Sequence, residues 1–242
     1  MTETTTAAPE LAPEPGVFAR FIGILTSPKA TYEAVVRRPN SVAMLALVAL
    51  LVGGSQSAMN LTERGRAMSL EFQIQQMEKF GVTVNDQMQA SLESRQKYAV
   101  YTSFIGAFIG FPLVVLIIAG ILYAVFNAIM GGTAEFKQVM AVVSHATVIS
   151  GVGAIFATGM NYARGSISTS VANLGMLLPM LPEKSFAANL AGWVDVFQIW
   201  WIITLAIGLG VLYKRKTSNV ATGLFALFAV IATCVSFFFN RG

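Results

Sequence analysis

Five apolar runs, each long enough to cross a bilayer, constrain this chain more than any other feature of it. The first, Ser41 to Met59, would measure about 28 Å as a helix at ~1.5 Å per residue, against a hydrocarbon core of ~30 Å. The others are Val100 to Met130, Val139 to Met160, Trp193 to Tyr213 and Val220 to Phe239. Pro112 should bend or tilt the second, because proline removes a donor and crowds the preceding turn. No polar stretch between the runs is long enough to build a soluble core of its own. Residues are 55% hydrophobic and only 12% charged, where soluble domains carry roughly 25% charge. The expected fold is therefore all-α, a polytopic membrane helical bundle of about five transmembrane helices forming one domain over residues 17–242.

The flanks add detail. Met1 to Gly16 holds Thr, Ala, Pro and Glu without a basic residue or an apolar centre. It reads as a disordered tail, not a signal or transit peptide. From Val17 to Arg38 the apolar residues Phe18, Phe21, Ile22 and Leu25 recur at helical spacing, and Ser27-Pro28 restarts a helix with serine as N-cap and proline at its first position. Tyr32, Val35 and Val36 continue the apolar face, and Arg37, Arg38 and Pro39 close it. A helix pair of this kind is expected to lie in the membrane interface. Between the first two runs, Met68, Phe72, Met77 and Phe80 fall near a helical repeat, with Gly81 as a stop and Thr83 or Asn85 as a second cap, predicting an extramembrane helical hairpin. In Asn161 to Gly192, the stretch Leu174 to Leu181 is expected to dip into the interface.

Odd spans place the termini on opposite sides. Lys and Arg divide evenly: Arg20, Lys29, Arg37, Arg38, Lys137, Lys214, Arg215 and Lys216 on the N-terminal side, and Arg64, Arg66, Lys79, Arg95, Lys97, Arg164, Lys184 and Arg241 on the other. Density decides, because Lys214, Arg215 and Lys216 crowd a very short loop while the second set is diluted among acids. The N-terminus is expected in the cytoplasm and the C-terminus outside. Phe18, Phe21, Arg37, Arg38, Lys214, Arg215 and Lys216 are the expected membrane-interface residues, and the lipid bilayer is the first partner.

Chemistry has few places to sit. Polar groups inside a membrane are costly and often functional, and the candidates for a polar network or pore are Asn127, His145, Asp195 and Gln198. His145 and Asn127 fall at similar depth in one leaflet, and Asp195 and Gln198 fall in the other. For His145, an imidazole hydrogen-bonded between helices outweighs an ion-lining role, and Asp195 reads first as the wet end of a helix. Catalytic inventories are missing: no HExxH, no GxSxG, and a single histidine and a single cysteine, Cys234. No enzyme activity, cofactor, metal or nucleic-acid partner is expected. Gly106 with Gly110, Gly151 with Gly153 and Gly208 with Gly210 would allow close helix approach, either within the chain or in a homo-oligomer.

Three segments together resemble the Yip1-domain (YIPF-like) family in its bacterial form. They are Phe21-Ile-Gly-Ile-Leu-Thr-Ser-Pro28 with Tyr32-Glu33 and Arg38-Pro39; Gly131-Gly132 with Phe136-Lys137-Gln138 and Val142-Val143-Ser144-His145-Ala146; and Asp195-Val-Phe197-Gln-Ile-Trp200 followed by Gly208 and the basic loop before Ala221. The likeness runs from Phe18 to Phe239. It implies five spans, a cytoplasmic N-terminus and a role in membrane traffic or organisation, with Rab-type GTPases as partners in eukaryotes. The short N-terminal region departs from the long eukaryotic one and argues against Rab binding. A non-enzymatic protein that organises membrane or partner proteins is the leading expectation, and a small, oligomeric channel or transporter with a polar pathway near His145 and Asp195 is the alternative.

Overall fold

Apolar runs bounded by capping residues become helices throughout a computed structural model of the chain, which describes residues 15–167, 172–174, 180 and 185–239. In chain order they are α1 (Val17–Thr26), α2 (Pro28–Arg37), α3 (Val42–Met59), α4 (Glu63–Lys79), α5 (Asp86–Arg95), α6 (Ala99–Tyr123), α7 (Phe136–Ala146), α8 (Val148–Arg164), α9 (Phe186–Trp193), α10 (Val196–Leu212) and α11 (Thr217–Phe239). A 3₁₀ turn, Gln96–Tyr98, joins α5 to α6, and a π-helical turn, Ala124–Ile129, prolongs α6. No strand occurs among the described residues. The protein is an all-α polytopic bundle, as expected.

Among the described residues, four helical stretches are long and apolar enough to cross a membrane: Val42–Met59, Asp86–Ile129, Phe136–Arg164 and Thr217–Phe237. The helix of the remaining expected span, α10, has 17 residues, about 25 Å at ~1.5 Å per residue. α6 runs unbroken through Pro112. Nearly all of the expected tail, residues 1–14, lies outside the described residues, and most of Leu174 to Leu181 lies outside them too. Between α4 and α5 the hairpin follows the expected chemistry. Gly81 turns with φ 78°, and the Asn85 side chain accepts from the Met88 amide at 2.9 Å. At the start of α4 the Thr62 hydroxyl accepts from the Gly65 amide at 3.0 Å.

The N-terminal pair docks on the rest of the bundle. α2 packs against α10 and α7, and α1 against α7 and α8; the buried residues of α1 are Arg20 and Ile24, which are 7% and 1% exposed. Phe18 and Ile22, on the opposite side of α1, point outward and are exposed. Tyr32 and Val35 of α2 are fully buried. The pair is a docked part of the core because α7 has almost no polar side of its own to offer water: Val139, Ala141, Val142, Val143 and Ala146 are all 0% exposed. Helix α3 packs between α6 and α8, and α10 between α7, α2 and α11.

Glycine makes the closest approach possible. A Cβ on Gly208 would stand 2.6 Å from Val142 Cγ1 and 2.8 Å from the Tyr32 ring, so only glycine lets α2, α7 and α10 meet there. Gly151 faces Val48 and Leu51 of α3, and Gly153 faces Phe197 of α10. Gly106 and Gly110 meet nothing within 4 Å, and neighbouring Ile105, Ile109 and Leu113 are exposed. Overpacking a close contact costs about 1–3 kcal/mol, so Gly208→Ala should lower the unfolding free energy by that much in a denaturant titration in detergent. Gly110→Ala should stay within about 0.5 kcal/mol of the parent.

Candidate functional site

The polar side chains inside the bundle fall into three separate sets. At one end, the π-helical turn after α6 presents Asn127 to the loop ahead of α7. Its amide donates to the Ala134 carbonyl at 2.6 Å and accepts from the Tyr213 hydroxyl at 2.8 Å. Phe126 stacks on the Tyr213 ring, centroids 4.8 Å apart. Gly131 turns with φ 68°, and Gly132 sits where any side chain would strike the Tyr213 ring and the Phe126 carbonyl. The first turn of α7 is closed by a capping box: Gln138 accepts from the Glu135 amide at 3.0 Å. Gln138 also donates to the Val36 carbonyl of α2 at 3.3 Å. One asparagine and one glutamine thus tie together α6, α7, α10 and α2.

In the middle lies His145, 1% exposed. Its Nδ1 is 2.8 Å from the Ala141 carbonyl, and because a carbonyl only accepts, Nδ1 carries the proton. That bond is within α7, where a bond between helices was expected. Ser144 and Thr147 do the same, donating to Met140 and Ser144 carbonyls at 2.6 Å each; side chains that bond the preceding turn leave a helix self-contained. His145 Nε2 and the Tyr32 hydroxyl have no side-chain or backbone partner among the described residues. Burial pushes the Tyr32 phenol up, so it stays protonated. Nearby on α1, the Arg20 Nε donates to the Pro15 carbonyl at 3.0 Å. Arg20 was absent from the sequence candidates. Its spacing of four from Ile24 was the signal that could have found it.

At the opposite end Asp195 caps α10, its Oδ1 accepting from the Phe197 and Gln198 amides at 2.7 and 3.2 Å. It lies about 27 Å from Tyr213 along the helix at ~1.5 Å per residue. A second asparagine works on this side. Asn60, 3% exposed, donates to Ser103 of α6 at 2.9 Å and accepts from Ser69 of α4 at 2.7 Å. Ser57 donates to the Val100 carbonyl at 2.8 Å. Asn127, His145 and Asp195 with Gln198 are therefore held by different partners at different depths, and the structure does not gather them at one point.

Of the interface candidates, Phe18, Arg37, Arg38, Lys214, Arg215 and Lys216 are exposed and Phe21 is half-buried against the core. Arg215 donates to the Met130 carbonyl at 3.2 Å.

Comparison with known proteins agrees with this architecture. Residues 22–239 match the family described as Yip1 domain. The chain is 25% identical over 198 residues to "Membrane protein YknW" of Bacillus subtilis (strain 168), covering 77% of this chain and 75% of the relative. No solved structure matches.

The Asn127 junction makes a graded prediction. Asn127→Ala leaves the Ala134 carbonyl and the Tyr213 hydroxyl unpaired and should cost about 1–3 kcal/mol, whereas Tyr213→Phe removes one bond and should cost about 1 kcal/mol. Thermal unfolding of the two variants in detergent checks the order.

Proposed function

The chain belongs to the Yip1 domain family, and on that premise we propose that it is a non-enzymatic protein that organises membrane or partner proteins. The observation that carries this reading is the outward-facing apolar pair Phe18 and Ile22, 69% and 59% exposed, on a helix whose other face is locked into the core. Such a helix presents a rigid contact surface to lipid or to another membrane protein. A transport pathway has less support, because its polar candidates are each engaged locally and apart. Counting α10 as a crossing gives five spans, with the N-terminus cytoplasmic and the C-terminus outside, and the crowding of Lys214, Arg215 and Lys216 supports that orientation. Likeness to a Bacillus membrane protein supports a bacterial cell membrane, the inner one where there are two. Gly106 and Gly110, open on the lipid-facing side of α6, support a homo-oligomer formed by close helix approach.

Cross-linking in native membranes tests both surfaces. Phe18→Ser combined with Ile22→Ser should abolish cross-links to other proteins while leaving the melting temperature unchanged. Gly106→Leu combined with Gly110→Leu should abolish cross-links between copies. Persistence of both sets in the variants would remove the proposed surfaces. Deleting Met1 to Arg38 would be a poor test, since it strips Ile24, Tyr32 and Val35 from the core.

Purified protein in liposomes under an imposed potential separates the organising role from transport. The liposomes should remain as tight as empty ones, and His145→Ala should change nothing. Flux that His145→Ala alters would overturn the reading in favour of a channel.

A further inference from the structure

Basic residues from three distant parts of the sequence meet at one end of the bundle. Arg215 bonds the Met130 carbonyl, Asn127 bonds Ala134, and Gln138 bonds Val36. These contacts set Lys214, Arg215 and Lys216 beside Lys137 in the first turn of α7 and beside Arg37 and Arg38 at the end of α2. All six are exposed. The acids nearby are Glu135, which holds Lys137 at 2.9 Å, and Glu33, also exposed.

Cations at the other end stand among more acids. Arg64 lies over the Tyr162 ring, 5.3 Å from its centroid, and Arg66 donates to the Asn60 carbonyl at 3.2 Å. Glu63, Glu71, Glu78, Asp86 and Glu93 dilute that end further.

The turn that presents the basic loop is built against the chain's own preference. After the last turn of α10, the Arg215 amide reaches back to the Gly210 carbonyl at 2.9 Å, closing a Schellman motif in which the left-handed position is normally glycine. That position is Lys214, with φ 51°, and it is the one residue other than glycine with positive φ among those described. Keeping a strained lysine where glycine fits freely points to a use for its charge. Beside the cations stand exposed apolar side chains: Ile129 at 78%, Met130 at 40% and Phe136 at 39%. A ligand matching both features is amphiphilic, anionic at its head and apolar along its length.

We propose that this end of the bundle binds the headgroups of anionic phospholipids, with Lys214, Lys216, Arg37 and Arg38 holding the phosphate and Ile129, Met130 and Phe136 lying against the acyl chains. The inference stands apart from the organising role proposed above, since a channel would present the same surface.

Native mass spectrometry of the purified full chain in neutral detergent, with phosphatidylglycerol or phosphatidylcholine added, tests it. Phosphatidylglycerol should be retained preferentially. Lys214→Gly with Lys216→Ser should weaken that retention about fivefold for each cation removed, and raised salt should do the same. Because glycine relaxes the turn, the variant should melt no lower than the parent; Lys216→Ser alone, which leaves the turn intact, serves as the second variant and should lose about fivefold. Equal retention of the two lipids, or undiminished retention in Lys216→Ser, would overturn the proposal. So would competition by glycerophosphate as effective as by the lipid, which would make a free phosphate ester the ligand.

Discussion

Everything in this bundle is arranged around the contact of Tyr32 with Gly208. A tyrosine ring laid against a glycine brings α2 to the backbone of α10, and Val142 closes the same contact from α7. Three helices from distant parts of the chain share one point without a side chain between two of them. Close packing of this kind is the main source of helix association where water is absent to drive apolar surfaces together. It also explains why the N-terminal pair packs into the core.

Enclosing α7 has a consequence for its polar residues. Ser144, His145 and Thr147 have no water to turn to, so each bonds a carbonyl of its own helix. Such bonds satisfy the side chain without committing it to a neighbour. The Tyr32 hydroxyl on α2 and His145 Nε2 on α7 are among the buried atoms left without a protein partner in the described residues. The two asparagines do the opposite work. Asn60 and Asn127 each bond two other elements, and about 36 Å of α6, at ~1.5 Å per residue, separates their attachments. They pin the two ends of the bundle while apolar packing fills its length.

Much of this was legible in the sequence, and the rest was not for identifiable reasons. Apolar length located the long helices. Turn chemistry at Gly81, Asn85, Ser27-Pro28 and Gly131-Gly132 located their ends, because those signals are local. For α1 the spacing showed which residues share a helix face but not which of them meet the bundle: Phe18 and Ile22 are exposed, and Phe21 and Leu25 pack against the core. The start of α7 at Phe136, ahead of the expected Val139, depends on an unusual cap in which glutamate replaces the commoner serine or aspartate. Short α9 lies in a stretch whose composition suggested only a loop. Among the site candidates, Asp195 acts as a helix cap, a signal as local as the turns. The partners of Asn127 and the burial of Arg20 and Tyr32 could not be read, since they depend on contacts between segments far apart in sequence.

Charge tells the two ends of the bundle apart. One end spreads its cations among Glu63, Glu71, Glu78, Asp86 and Glu93. The other gathers exposed cations beside fewer acids, and holds one of them, Lys214, in a backbone conformation that glycine would adopt more easily. A positive charge near a bilayer surface acts over about a Debye length, ~8 Å at physiological salt, so clustering Arg37, Arg38, Lys137, Lys214, Arg215 and Lys216 makes their effects add in a way that the dispersed set cannot. Sequence counts alone left the two sides balanced. Crowding of Lys214, Arg215 and Lys216 already tipped that balance, and the fold, by drawing the end of α2 and the start of α7 beside the α10–α11 turn, makes the distribution of field more uneven still.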